Sequence, residues 1–172
     1  MSESIIPPQS VSGYVVRPFH DSDGPAVQSL FETDPGFFEM IQDAPPGPCE
    51  AQSFATCIPP GKDYDDKFAF CVFDRNEKLS AVIDMVRDYP KGVWFIGLLF
   101  LAPDARGKGL GKQLVTAIAA GVHRAGGTAL RVLVQHANIR ARNFWTREGF
   151  GFHSEHKTPD TGKMADVLER LL

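Results

Sequence analysis

The sequence predicts an α/β (α+β) protein, with a mixed, mostly antiparallel sheet of about six to seven strands and helices on both faces. Three features predict it. Phe68–Phe73 and Leu79–Arg87 are strand-like runs joined by the polar turn Asp74-Arg75-Asn76-Glu77, which reads as an antiparallel hairpin. Val93–Leu101 is too continuously apolar to have a wet face, so it belongs in the middle of a sheet. After it comes a helix and then the strand Leu130–Val134, and a strand–helix–strand crossover makes that pair parallel.

The remaining elements follow in order. Residues 1–12 are polar around Pro7-Pro8 and are expected to form a loose lead-in. Tyr14-Val15-Val16 is a short strand. Asp21-Ser22-Asp23-Gly24-Pro25 starts a helix that runs to about Thr33, with Val27, Leu30 and Phe31 on one face. Prolines from Pro35 to Pro60 allow only short helices, near Gly36–Ile41 and Glu50–Thr56. Tyr89-Pro90-Lys91-Gly92 is a second turn. Leu110, Leu114, Ile118 and Val122 recur every four residues, the apolar stripe of a helix, which Gly126-Gly127 ends. Asn138 caps a last helix that stops at Gly149. Phe150–His153 and Met164–Leu171 close the sheet.

Length and composition narrow the class. At ~150 residues per domain, the 172 residues make one domain, spanning 1–172. A hydrophobic fraction of 43% supplies a core and excludes disorder over the whole length. A net charge of −3 argues against a generic nucleic-acid binder. The longest apolar run, Val93–Ala102, is about half of the ~20 residues that span a bilayer, and Met1-Ser2-Glu3-Ser4 does not open a signal peptide. Neither a membrane nor a nucleic acid is therefore an expected partner. Cys49, Cys57 and Cys71 form no CxxC pair, which gives neither a disulfide framework nor a zinc ribbon. Cys71 sits in the apolar run Phe68–Phe73 and reads as core. These features point to a reducing, cytoplasmic setting.

The chemistry lies in Arg106-Gly107-Lys108-Gly109-Leu110-Gly111-Lys112, between the buried strand and its helix. Glycines let a backbone approach an anion, free helix N–H groups point at it, and Arg106, Lys108 and Lys112 add positive charge. A phosphate or pyrophosphate is the natural ligand. The P-loop pattern GxxxxGK[ST] fails, because 106 is Arg and 113 is Gln. The dinucleotide pattern GxGxxG fails at Lys112. The pattern [RQ]xxGx[GA] fits, on Arg106, Gly109 and Gly111. Some thirty residues further on stand Asn138, Ala141, Phe144, Trp145, Gly149 and Phe150, spaced as NxxAxxFWxxxGF.

Together these two motifs resemble the GNAT superfamily of acyl-CoA-dependent N-acyltransferases over Val93–Phe152. The resemblance implies a central parallel pair that splays apart, with the pantetheine arm of acetyl-CoA in the gap. It places Leu99, Phe100 and Leu101 against that arm through their backbone. The diphosphate would lie on the amides from Arg106 to Gly111. It gives Asn138 a bond to pantetheine beside its role as N-cap. Lys108, Lys112 and Arg142 would reach nucleotide phosphates, and Phe144 and Trp145 would belong to the cofactor site. Gly97 is consistent with a strand bulge or with close packing. The implied reaction is acetyl transfer from acetyl-CoA to a primary amine of a small molecule in a ternary complex, with no metal. Acceptors on a protein, or a binding protein without turnover, are the alternatives, and a homodimer is allowed.

Two departures from the family stand out. At neutral pH only about one amine in a thousand is unprotonated, so a base is needed. Many members carry it as glutamate on the central strand, yet Val93–Leu101 has no carboxylate. Asp84, set between apolar neighbours, is the first candidate, followed by Glu32 and Glu39, and His136, His153 and His156 could shuttle protons. The family's acidic tyrosine is replaced by Trp145, whose indole is no usable acid. Trp145 is then either a wall of the acyl site or core. Tyr89 is an alternative acid, and the role stays unassigned. Glu32, Phe37, Tyr89 and Trp94 are expected to line the acceptor pocket.

Overall fold

The computed structural model describes residues 4–172. Its strands are β1 (Tyr14–Pro18), β2 (Lys67–Asp74), β3 (Leu79–Val86), β4 (Val93–Leu101), β5 (Ala129–Gln135), β6 (Gly151–Lys157) and β7 (Met164–Leu171). Its helices are α1 (Gly24–Glu32), α2 (Pro35–Gln42), α3 (Glu50–Thr56), α4 (Leu110–Arg124) and α5 (Ile139–Arg147). They form the seven-stranded sheet β1-β2-β3-β4-β5-β7-β6. Every pairing is antiparallel except β4 with β5. The apolar run of β4 does lie at the centre, and the crossover through α4 makes the predicted parallel pair.

The parallel ladder is short. It joins Val93–Ile96 to Ala129–Val132 and stops there. Beyond that point β4 continues along β3 as far as Leu101, while β5 continues along β7 as far as Gln135. The central strands therefore diverge.

A bulge sits where they part. Met85 pairs with Ile96 and Asp84 with Leu98, so Gly97 is the extra residue. An extra residue exchanges the faces of everything after it, because side chains alternate with a period of two. Trp94, before the bulge, lies beside Phe68 and borders Gly127 together with Val122 of α4. Phe100, after it, packs on the other face under Phe31, Phe37 and Phe38 of α1 and α2. One apolar strand thus supplies core to both helical layers.

The lead-in is not loose where it is described. It has no regular secondary structure, but Ile6 and Val11 are buried, and the Val16 N–H donates to the Pro8 carbonyl. Residues 1–3 lie outside the described residues. The segment rests against α4 at Gly121, where an added Cβ would fall 1.8 Å from the Ile5 carbonyl oxygen. Isolated apolar residues carry no periodicity, which is why the sequence did not reveal this docking. Gly121→Ala should cost about 1–3 kcal/mol by forcing that backbone apart. Hydrogen exchange should show amides of residues 4–12 exchanging faster, and an unchanged Tm and exchange pattern would contradict the contact.

Candidate active site

The loop after β4 is built around two left-handed glycines, Gly107 at φ 71° and Gly109 at φ 82°. A Cβ on either would meet nothing within 4 Å, so the cradle they form is open. Gly109 is the N-cap of α4 and offers no capping side chain. The N–H groups from Gly107 to Lys112 find no acceptor among the described residues. These are the unpartnered donors of a helix start, with the positive end of the helix dipole behind them. Lys108 and Lys112 are exposed at its rim. A diphosphate fits this donor set.

Gly111 has a different role from its neighbours. A Cβ there would lie 3.0 Å from Cε2 of Phe144, so its bareness lets α5 close on α4. Phe144 is half-buried and meets Trp145 edge-on at 5.0 Å, and Trp145 in turn meets Phe150 at 5.0 Å. Trp145 is buried in the core cluster.

The charge expected of Arg106 at the cradle is engaged elsewhere. Its Nη1 pairs with Asp34 Oδ2 at 2.7 Å and its Nε donates to the Leu101 carbonyl at 2.9 Å. The guanidinium also lies 5.5 Å above the Phe100 ring. Asp34 uses its other oxygen to cap α2 at the Phe37 N–H. Arg106 thus ties the start of α2 to the end of β4, and the Leu101 carbonyl accepts one bond from it. Leu99 and Phe100 remain on the β4 edge that β5 has left, with the Phe100 side chain in the core.

Asn138 caps α5 by accepting the Ala141 N–H through Oδ1 at 3.0 Å. Its Nδ2 is left to donate. Arg142, expected near a phosphate, bonds Asp166 through Nη2 at 2.6 Å. His136 bonds the other Asp166 oxygen at 2.8 Å, and the hydrogen bonds from His136 and Arg142 hold the Asp166 carboxyl below the usual carboxylate range. His136, Glu155 and Asp166 bring ligand atoms within 4.8 Å of one another, but Arg142 occupies one side of that group. His153 bonds Arg131, and His156 bonds Ser154.

Asp84 stands on β3 directly across from the bulge. Its Oδ1 accepts from Lys67 Nζ at 2.6 Å. Its Oδ2 would be 2.8 Å from a Cβ on Gly97, so only glycine admits the carboxylate there. Burial pushes the Asp84 carboxyl above the ordinary carboxylate range, and the Lys67 ammonium opposes that rise. The register puts Phe95 and Leu98 on the same face as Asp84. Tyr89, exposed at the β3–β4 turn, meets Phe95 edge-on at 6.2 Å. Phe37 is half-buried against Phe100 on that face, and Glu32 is exposed at the end of α1, bonded to Gln28.

Trp94 does not join this group. It lies on the opposite face and lines a cavity of about 490 Å³ with Phe68, Phe70, Arg87 and Arg124. The bulge accounts for the error, since it reverses the strand's phase between Trp94 and Phe100. Sequence reasoning also missed Lys67 and Gln135. Gln135 donates through Nε2 to the Ile41 carbonyl at 2.9 Å, tying α2 to β5 beyond the parting, and its Oε1 is buried without a partner among the described residues. Neither residue belongs to a spacing motif, so register alone could have found them.

A family model described as the acetyltransferase (GNAT) family matches residues 34–152, and the chain belongs to that family. By that membership it is an acyltransferase whose relatives in general use acetyl-CoA and act on amine acceptors. No curated protein matches it in sequence. Its fold is similar to that of an acetyltransferase from Thermus thermophilus, with TM-score 0.76 and 23% identity over 94% of this chain and 99% of that one. It is also similar to the Salmonella typhimurium acetyltransferase that modifies the N-terminal serine of ribosomal protein L7/L12, with TM-score 0.77 and 16% identity over 95% and 97%. A GCN5-related N-acetyltransferase from Kribbella flavida gives TM-score 0.70 and 22% identity over 93% and 98%. At these identities the likeness is one of fold.

Gly109→Glu should place a carboxylate in the open cradle and strain a left-handed position. Calorimetry should show CoA affinity falling by about a hundredfold or more, as for a charge desolvated against a like charge. Far-ultraviolet circular dichroism should stay unchanged. Full affinity in this variant would remove the loop from the site.

Proposed function

We propose that the chain is an acetyl-CoA-dependent N-acetyltransferase, one domain of its family, that acetylates a primary amine of a small molecule by direct transfer in a ternary complex. The observation that carries this reading is the parting of β4 from β5 beside a cradle of unpartnered N–H groups.

In this reading the diphosphate rests on the amides from Gly107 to Lys112, with Lys108 and Lys112 at its rim. The pantetheine arm runs along the open edge of β4 at Leu99 and Phe100, and Asn138 donates to it through Nδ2. The bound thioester supplies an electrophilic carbonyl. Backbone N–H groups near the bulge polarise it and hold the charge that develops on its oxygen. The acceptor enters over Asp84, between Phe37, Tyr89 and Phe95, with Glu32 at the entrance.

Asp84 Oδ2 takes the proton of the attacking amine. The C–N bond forms, the C–S bond breaks, and CoA leaves with the electron pair of that bond. A thiol with an ordinary pKa near ~8.5 leaves as thiolate without an obligatory acid, so burial of Trp145 in the core is no obstacle. An acyl-cysteine route has little support. Cys71 is fully buried and its thiol is pushed up to about 12 by that burial, while Cys49 and Cys57 lie outside the cleft motifs.

The test is release of free CoA from acetyl-CoA across a panel of small amines and short peptides at pH 8. Turnover with a small amine supports the proposal. Turnover with peptides alone would move the acceptor to protein N-termini or lysines, and none with any acceptor would leave a binding protein. The base must be deprotonated to work and burial raises Asp84, so kcat/KM should fall on acidification at a pH above the ~4 of an ordinary carboxylate. Asp84→Asn should abolish that limb and lower kcat about 10²–10⁴-fold. A variant with full rate and an unchanged profile would contradict Asp84 as the base.

A further inference from the structure

Lys67 is a cation almost wholly withdrawn from water. Its side chain is 4% exposed, against 17% for Asp84, whose Oδ1 it contacts at 2.6 Å. Burying an ammonium costs several kcal/mol unless it is paired and hydrogen-bonded, so a buried lysine requires an explanation. Lys67 starts β2, two strands away from the parting of β4 and β5. Its Nζ donates twice, to Asp84 Oδ1 and to the Cys57 carbonyl at 2.8 Å, at the C-terminal end of α3. The second bond gives the ammonium an acceptor besides Asp84, so two partners set its position.

The geometry divides the two carboxylate oxygens. Oδ1 is held by Lys67. Oδ2 is directed over Gly97, the bulge residue at which β4 leaves β5, where any Cβ would displace it. Among the described residues, Lys67 is the one charged side chain paired with Asp84. β2 presents Ala69 opposite it and β4 presents Leu98. From α3 comes the Cys57 carbonyl, and from α1 comes Glu32, which is exposed and bonded to Gln28. Lys62, Asp66 and Arg87 pair among themselves.

We infer that Lys67 is a positioning residue for acetyl transfer: it clamps one oxygen of Asp84 so that the other faces the β4 bulge, and it supplies the counter-charge paired with that carboxylate among the described residues. This rests on the reading of Asp84 as base. Lys67 does not touch acceptor or acetyl group. It acts by making a half-buried carboxylate available as an anion at one place. Without it, desolvation would act on Asp84 unopposed and the carboxyl would hold its proton to higher pH.

The experiment compares Lys67→Gln, Lys67→Arg and wild type in the full-length protein. Lys67→Gln keeps a hydrogen-bond donor toward Asp84 and the Cys57 carbonyl but removes the charge, which limits loss of fold. Removing an opposite charge in direct contact should raise the acidic limb of kcat/KM by about one pH unit or more. The KM for acetyl-CoA should stay within about twofold of wild type, because Lys67 is remote from the cradle. Lys67→Arg should keep the wild-type limb. An acidic limb in Lys67→Gln that coincides with wild type overturns the inference, as does a limb that moves equally in both variants. A second readout is independent of turnover. Carbon NMR titration of the Asp84 carboxyl in ligand-free protein should show the same upward displacement in Lys67→Gln, and no displacement overturns the counter-charge role. If Asp84→Asn is fully active while the NMR displacement is present, the base assignment fails and the pairing stands, so the two failures are distinguishable.

Discussion

The structure depends on one interruption of hydrogen bonding: the ladder between β4 and β5 ends after Ile96 and Val132. Two buried parallel strands that separate leave backbone donors and acceptors without partners, which a protein interior tolerates only where water or a ligand meets them. The bulge at Gly97 bends β4 away at that point and keeps its pairing with β3 intact. The open edge, the loop of left-handed glycines and the N-terminus of α4 then follow one another along the chain. A single strand deviation thus lines up an open strand edge with the N-terminus of α4, the arrangement on which the proposed cofactor reading rests.

Ion pairs fix the pieces around this gap. Arg106 anchors the end of β4 to Asp34, which also caps α2, so the acceptor-side helices and the phosphate loop are bound to each other. The pair is mostly withdrawn from solvent, with side chains 22% and 27% exposed, so salt screens it less than a surface pair. Lys67 and Asp84 join β2 to β3, on the β3 side of β4. The basic residue of the phosphate motif is engaged by Asp34 and the Leu101 carbonyl here, so in the proposed reading the diphosphate is met mainly by the amides, Lys108 and Lys112.

Much of this was legible in the sequence, where local pattern carries the information. The four-residue stripe of α4, the apolar run of β4 and the hairpin of β2 and β3 were set by periodicity and turn chemistry. The glycine spacing located the open loop of left-handed residues, and two motifs at the right separation gave the family. What was not legible depends on register. Trp94 and Phe100 are both even-numbered residues of one strand, and the bulge between them puts them on opposite faces. Arg106 finds Asp34 and Arg142 finds Asp166 only after folding, so both looked like free charges. Ile6 and Val11 dock the lead-in without any periodic signal. Lys67 read as an ordinary strand start, because nothing in its neighbours announced that Asp84 would lie above it.

A crystal structure of the protein with CoA tests the central claim most directly. The account predicts the diphosphate on the N–H groups from Gly107 to Lys112 and the pantetheine arm between β4 and β5, bonded to the strand edge at Leu99 and Phe100. CoA bound elsewhere, or a β4–β5 ladder that closes past Ile96 when CoA is present, would contradict it.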